Sequence, residues 1–120
     1  MLAALLAIVL FRPLVEPGPF VGRVTVVNKS EYAFDVDVAG ATADDWMPLG
    51  TVGEKQSTDV AEVFDQGGTW TFRFRTQGLS AGQVAMSRDD LKAAGWQLVI
   101  PDRFAEKLRA DDVVPTTPLH

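Results

Sequence analysis

The sequence predicts a mainly all-β fold, an immunoglobulin-like β-sandwich with one or two short helices, preceded by an N-terminal hydrophobic helix. Short β-branched and aromatic runs follow one another from residue 21 onward, with turn residues between them at roughly 8–12-residue spacing. In the most regular run, Trp70, Phe72 and Phe74 alternate with polar residues that include Arg73 and Arg75. A period of two predicts a central strand whose aromatic residues fill the core while both arginines point to solvent.

Composition limits the classes of function. The chain has 120 residues, 47% hydrophobic and 22% charged, as expected for one globular domain. A net charge of -5 disfavours nucleic acid as a partner. With no cysteine, and with the single histidine at position 120, the sequence favours neither a thiol nucleophile, a histidine triad nor a metal site. We therefore predict no enzyme activity and no cofactor.

Residues 1–11 form an uninterrupted apolar run, which predicts a segment that inserts into a membrane. At 1.5 Å per residue the run reaches about half of the roughly 30 Å hydrocarbon core. We favour a membrane anchor that starts upstream of Met1 or is completed by Leu14, Val15 and Phe20. A signal peptide with an unusual n-region, and an amphiphilic segment that packs on the domain or in a partner's groove, remain open. The predicted anchor residues are Leu2, Leu5, Leu6, Ile8, Val9, Leu10 and Phe11.

Proline residues mark the boundary between anchor and domain. Pro13, Pro17 and Pro19 break any helix, so we predict a hydrophobic helix and stiff connection at residues 1–19. The sandwich domain is predicted at residues 20–110 and a C-terminal tail at residues 111–120. The two predicted helices cover residues 87–95, with Ser87 as cap, and residues 102–110, with Asp102 as cap. Predicted strands cover residues 21–28, 32–38, 46–52, 58–64, 70–76, 83–87 and 96–100.

Two of these strands carry particular expectations. The strand at residues 46–52 contains Pro48, which confines it to a sheet edge. The strand at residues 58–64 contains an irregularity, because Val60 and Val63 fall out of a single alternation.

Paired acidic residues raise calcium binding and carboxylate catalysis, but a structural interpretation is favoured. Asp35 and Asp37 lie on the predicted solvent face of a strand, and Asp89 and Asp90 suit the start of a helix. None of the pairs follows EF-hand spacing.

Three residues are candidates for contact with a ligand or partner: Trp46, Arg73 and Arg75. Trp46 lies in a predicted loop, where an exposed indole offers a stacking platform for a sugar. Arg73 and Arg75 form a small basic patch, or else pair with Asp35 and Asp37 across neighbouring strands.

Residues 24–32, 64–67 and 70–74, together with the Arg88-Asp-Asp-Leu91 run, Gly95-Trp96 and Pro101, resemble a group of small uncharacterised actinobacterial proteins. The resemblance implies one N-terminal hydrophobic segment followed by an extracytoplasmic β-sandwich, and it implies no known activity. We thus expect a non-enzymatic module, tethered to the cell membrane, that contacts other envelope or membrane proteins. The alternative is a soluble glycan- or peptide-binding sandwich whose N-terminal helix packs on a partner.

Overall fold

A computed structural model describes residues 20–115, which form seven strands and two short helices. The predicted hydrophobic helix and anchor at residues 1–19 lie outside the described residues. The strands are β1 (Phe20–Val27), β2 (Phe34–Ala39), β3 (Met47–Val52), β4 (Ser57–Phe64), β5 (Thr69–Thr76), β6 (Leu79–Ser87) and β7 (Gln97–Val99). The helices are α1 (Arg88–Ala93) and α2 (Asp102–Ala110).

The strands form two sheets, so the predicted mainly-β, sandwich-like fold is confirmed. One sheet has three strands in the order β4-β1-β7, and the other has four in the order β3-β2-β5-β6. All neighbouring strands run antiparallel except β1 and β7, which are parallel. Sequence-adjacent strands therefore often lie in different sheets, and the core forms between the two inner faces.

The core is built on the predicted central strand. Trp70, Phe72 and Phe74 on β5 are fully buried. The ring of Phe74 lies edge-on to that of Phe34, with centroids 6.1 Å apart, and 5.3 Å from the ring of Phe104 on α2. Aromatic pairs in this range add to the stabilisation that burial alone provides. The inward face of β5 is thus assigned correctly by the alternation in the sequence.

Both expectations about irregular strands are confirmed. β3 lies at the edge of its sheet, and its pairing with β2 shifts register between Val36 and Asp37. In β4, Glu62 has a φ of 54°, which breaks the regular alternation between Val60 and Val63. The positive φ lets Val63 turn back into the core, where it is 3% exposed.

The two helices begin differently. α1 begins after Ser87, whose hydroxyl accepts a hydrogen bond from the Asp90 N–H at 3.0 Å, as predicted. The prediction that Asp102 caps α2 is wrong: the N-cap residue is Pro101, and no side chain bonds to the helix N-terminus there. Pro101 supplies the extended conformation that precedes a helix, so Asp102 becomes the first helical residue. Its carboxylate then lies in the first turn, where the helix dipole favours negative charge.

The chain continues to contact the sandwich after α2. The Tyr32 hydroxyl donates to the carbonyl of Val113 at 2.6 Å, and the Gln77 side chain donates to the carbonyl of Val114 at 2.7 Å. Tyr32 is itself 1% exposed. The beginning of the predicted tail is thus held against the domain by hydrogen bonds.

An ion pair between Glu31 and Arg109 attaches the loop before β2 to α2 and gives a test by pH. Arg109 donates to both Glu31 oxygens, at 2.7 and 2.9 Å, and these bonds lower the pKa of Glu31 from 4.5 to about 2. A lowered pKa stabilises the fold above about pH 4.5, and this stabilisation is lost as pH falls towards 2. We expect Glu31→Gln to lower the unfolding midpoint slightly at pH 7, since the pair is exposed. At pH 2 the two midpoints converge, and an unchanged gap contradicts the assignment.

Candidate interaction surface

The outer face of the four-stranded sheet carries all three contact residues named from the sequence. Alternation along β2 and β5 places Asp35, Asp37, Arg73 and Arg75 on this face, away from the core. The antiparallel register sets Asp37 opposite Arg73 and Asp35 opposite Arg75. Trp46 lies immediately before β3, at the edge of the same sheet. We call Trp46, Asp37, Arg73 and Arg75 the Asp37 cluster.

Asp37 holds the cluster together through one carboxylate oxygen. Arg73 donates to Oδ2 of Asp37 from Nε at 3.1 Å and from Nη2 at 2.8 Å, and Arg75 donates to the same oxygen from Nη2 at 3.0 Å. Charge-assisted bonds of this kind are among the strongest in proteins. One carboxylate and two guanidinium groups leave a net charge of +1 on the cluster.

The expectation that Asp37 lies exposed to solvent is wrong. Asp37 is only 4% exposed, because the two arginines on the neighbouring strand cover it. The arginine side chains are only partly exposed to solvent, 30% for Arg73 and 39% for Arg75. The alternative of cross-strand ion pairing is therefore correct for Asp37. Asp35 instead accepts a hydrogen bond from the Thr51 hydroxyl at 2.7 Å.

Trp46 is fixed against Arg73. The guanidinium carbon of Arg73 lies 4.2 Å from the centroid of the Trp46 ring, a cation–π contact, and the tryptophan is half-buried. One face of the indole is thus occupied by Arg73. The same arginine therefore connects the buried carboxylate to the aromatic ring, and the side chains are held in place before any ligand binds.

A small recess lies beside the cluster. It has a volume of about 190 Å³ and is lined by residues of β2, β3 and β5 that include Asp35, Thr51 and Arg75. The Nε atom of Arg75 is buried and has no hydrogen-bond partner among the described residues. A buried donor without a partner lowers stability.

A larger, shallow recess of about 540 Å³ lies on the other sheet. It is lined by Val21, Gly22, Arg23, Ala61, Gly95 and Trp96, and none of the contact residues predicted from the sequence borders it. Trp96 is half-buried, with Arg88 5.3 Å above its ring and Trp70 5.6 Å away.

Away from the cluster, Asp65 forms an ion pair with Arg88 at 2.9 Å. Burial raises the pKa of Asp65. Hydrogen bonds from Arg88 and from the Gly67 N–H lower it by more, so that the net change in this pKa is downward. Across residues 20–115 no three acidic or histidine side chains come together in a group suited to a metal ion. Likewise, no helix in this range is long and apolar enough to cross a membrane. The predicted anchor residues at positions 2–11 lie outside it.

Protein-family models, curated proteins and solved structures were compared with the chain, and none matches. The resemblance to actinobacterial membrane-anchored proteins stays a prediction.

Replacing the two arginines of the Asp37 cluster singly and together tests whether both of them stabilise the Asp37 carboxylate. Arg73→Ala or Arg75→Ala alone leaves one guanidinium on Asp37, and we expect a loss of about 1 kcal/mol or less for each. The double variant leaves a buried carboxylate without a partner, so we expect a loss of about 3 kcal/mol, more than the sum. Urea unfolding measures the three variants. Adding Asp37→Ala to the double variant restores part of the loss, whereas strictly additive losses contradict the shared-carboxylate geometry.

Proposed function

We propose that this chain is a non-enzymatic β-sandwich module, tethered to the cell membrane by residues 1–11 with its domain on the extracytoplasmic side. In this proposal it acts as an accessory that binds other envelope or membrane proteins. The observation that carries the binding role is the Asp37 cluster, in which Arg73 joins a 4%-exposed carboxylate to Trp46 on an open sheet face. Side chains fixed in advance lose little conformational entropy when a partner binds.

The strand order supports the finer immunoglobulin-like assignment. The order β3-β2-β5-β6 matches the order C′-C-F-G of immunoglobulin variable domains, and the β1–β4 pair matches strands B and E. The short strand β7 departs from this pattern, since it lies parallel to β1. In this assignment Asp37, Arg73 and Arg75 lie on the outer face of strands C and F, and Trp46 lies just before strand C′.

An aromatic pair at the beginning of the described chain supports the tether. Phe20 and Phe64 stack with ring centroids 4.6 Å apart, yet remain 48% and 45% exposed. Two exposed aromatic rings that stack on each other offer apolar surface for contact with a protein or a membrane. Phe20 directly follows the Pro-rich connection. A membrane anchor at residues 1–11 therefore places this aromatic pair near the membrane surface.

Cell fractionation tests the tether. We expect the full chain in the membrane fraction, resistant to high salt and released by detergent, because apolar burial is insensitive to ionic strength. A variant lacking residues 1–11 becomes soluble, while Phe20→Ser with Phe64→Ser in the full chain retains its location. If the full chain is soluble without detergent, and the deletion changes nothing, the tether is wrong.

A soluble glycan- or peptide-binding module is the second candidate, and the position of Trp46 favours it. The indole is half-buried, Arg73 covers one of its faces, and the 190 Å³ recess lies on the same sheet face. A titration with cell-envelope glycan fragments, followed by tryptophan fluorescence, compares the wild type with Trp46→Phe. Loss of the response in Trp46→Phe supports this candidate. A response of equal size in both proteins, or none in either, excludes Trp46 as the platform.

A further inference from the structure

The four edge strands of the two sheets differ in how they are protected against pairing with another strand. β3 contains Pro48 and a register shift, β4 contains Asp59 and the irregular Glu62, and β7 is only three residues long. Each of these features blunts an edge. β6 shifts register against β5 near Gly82, but its following residues 83–87, QVAMS, pair regularly and include neither a charge nor a proline.

The backbone of β6 presents hydrogen-bonding groups to the open side. The Arg88 N–H donates to the Gly68 carbonyl at 2.8 Å, so position 88 faces β5. Backbone groups of alternate residues point to the same side of a strand, and therefore Met86 and Val84 also face β5. The backbone N–H and C=O groups of Gln83, Ala85 and Ser87 then point away from the sheet.

The side chains along this edge suit a close approach. Val84 and Met86 pack against the core but stay half-buried, so a strand beside them buries more apolar surface. Gln83, Ala85 and Ser87 are exposed on the outer face and are small or uncharged. Arg103 of α2 donates to the Gln83 carbonyl at 3.3 Å, and α1 begins after Ser87, so the open part of the edge covers residues 83–87.

We propose that β6 pairs with β6 of a second copy of this chain, antiparallel about a twofold axis through Ala85. The chain carries a net charge of -5, so two copies repel each other, and an uncharged strand is where they meet at the lowest electrostatic cost. In this register Ala85 lies opposite Ala85 of the second copy, and Gln83 lies opposite its Ser87. Two bonds join the Ala85 residues, and each Ser87 N–H donates to a Gln83 carbonyl, whose oxygen then accepts from both Ser87 and Arg103.

The pairing joins the two four-stranded sheets into one sheet of eight strands across the dimer. A five-residue strand pair is smaller than a standard interface of about 1,600 Å², so we expect a weak dimer with a Kd above about 1 µM. This proposal does not depend on the membrane tether. It applies equally to the full chain in detergent or in solution.

Disulfide trapping tests the twofold register in the full chain, which has no cysteine of its own. Opposed residues in a hydrogen-bonded antiparallel pair have Cα atoms about 5.5 Å apart, a distance that a disulfide spans. With a copper catalyst and dissolved oxygen as the electron acceptor, we expect Ala85→Cys to form a covalent dimer rapidly. Gln83→Cys places its two thiols four residues out of register, about 14 Å apart, and does not cross-link.

The control for random collision is Ala61→Cys, an exposed position on the protected edge β4. At least about tenfold faster dimer formation by Ala85→Cys than by Ala61→Cys and Gln83→Cys supports the proposal. Equal rates for all three, or no dimer from Ala85→Cys, overturn it. Ala85→Lys in a cysteine-free chain places like charges opposite each other, so sedimentation velocity shows a Kd at least about tenfold weaker. An unchanged Kd also overturns it, as does capture of a different protein by Ala85→Cys without self-linking.

Discussion

Truncating Phe72 to alanine is expected to destabilise the fold by about 3–5 kcal/mol, the usual cost of removing a buried phenylalanine ring from a packed core. Phe72 is fully buried, lies opposite Val38 and Val84 in the sheet, and stacks 6.2 Å from Trp70. A domain of this size has about 5–15 kcal/mol of stability in total. A large part of the Phe72→Ala protein therefore unfolds under mild denaturant.

Phe64→Ala is the matched control for this variant, because it removes the same ring from the same kind of element. Phe64 is 45% exposed and stacks mainly on Phe20, so we expect a loss of about 1 kcal/mol. Urea unfolding followed by tryptophan fluorescence, to which the buried Trp70 contributes, compares the two. A loss for Phe72→Ala no larger than that for Phe64→Ala contradicts the placement of Phe72 in the core.

Gly82→Ala is expected to cost about 4 kcal/mol, although it adds a single methyl group. Gly82 has a φ of 141°, which side chains other than glycine's rarely tolerate. A Cβ there lies 2.5 Å from Cε1 of Phe104, which is itself 3% exposed and packed against Phe74. Backbone strain of about 1–3 kcal/mol and overpacking of about 1–3 kcal/mol therefore act together. The measurement is the unfolding midpoint in urea.

Gly68→Ala serves as the control for Gly82→Ala. A Cβ at Gly68 meets no atom within 4 Å, and the residue is outside the positive-φ region. We expect a change within about 0.5 kcal/mol. A Gly82→Ala protein as stable as the Gly68→Ala protein contradicts the packing of α2 against β6.

Local patterns in the sequence predicted most of the sandwich. Alternation around Trp70 located the central strand and its buried face, and Pro48 located an edge strand. Ser87 and Gly95 marked both ends of α1, where the Gly95 N–H donates to Lys92 and the Trp96 N–H donates to Leu91. These features follow from a few neighbouring residues, and so they can be recognised without knowledge of the tertiary fold.

Features that depend on distant residues were missed. Alternation places Asp37 on the outer face, but its burial requires Arg73 and Arg75 from a strand about 36 residues away. The contact between Arg73 and Trp46, and the parallel pairing of β1 with β7, likewise arise only when separate segments meet. The register shift between Phe74 and Arg75, which accommodates Gly82 beside Phe104, has no local signal beyond the glycine itself.

The position of the domain relative to the membrane tests the proposed function most directly. A reporter enzyme that is active only outside the cytoplasm is fused after His120, and a second reporter that is active only in the cytoplasm is fused at the same point. The account predicts activity from the first fusion, in the membrane fraction, and none from the second. Activity from the second fusion alone, or from the first in a soluble fraction, contradicts a membrane-tethered extracytoplasmic module.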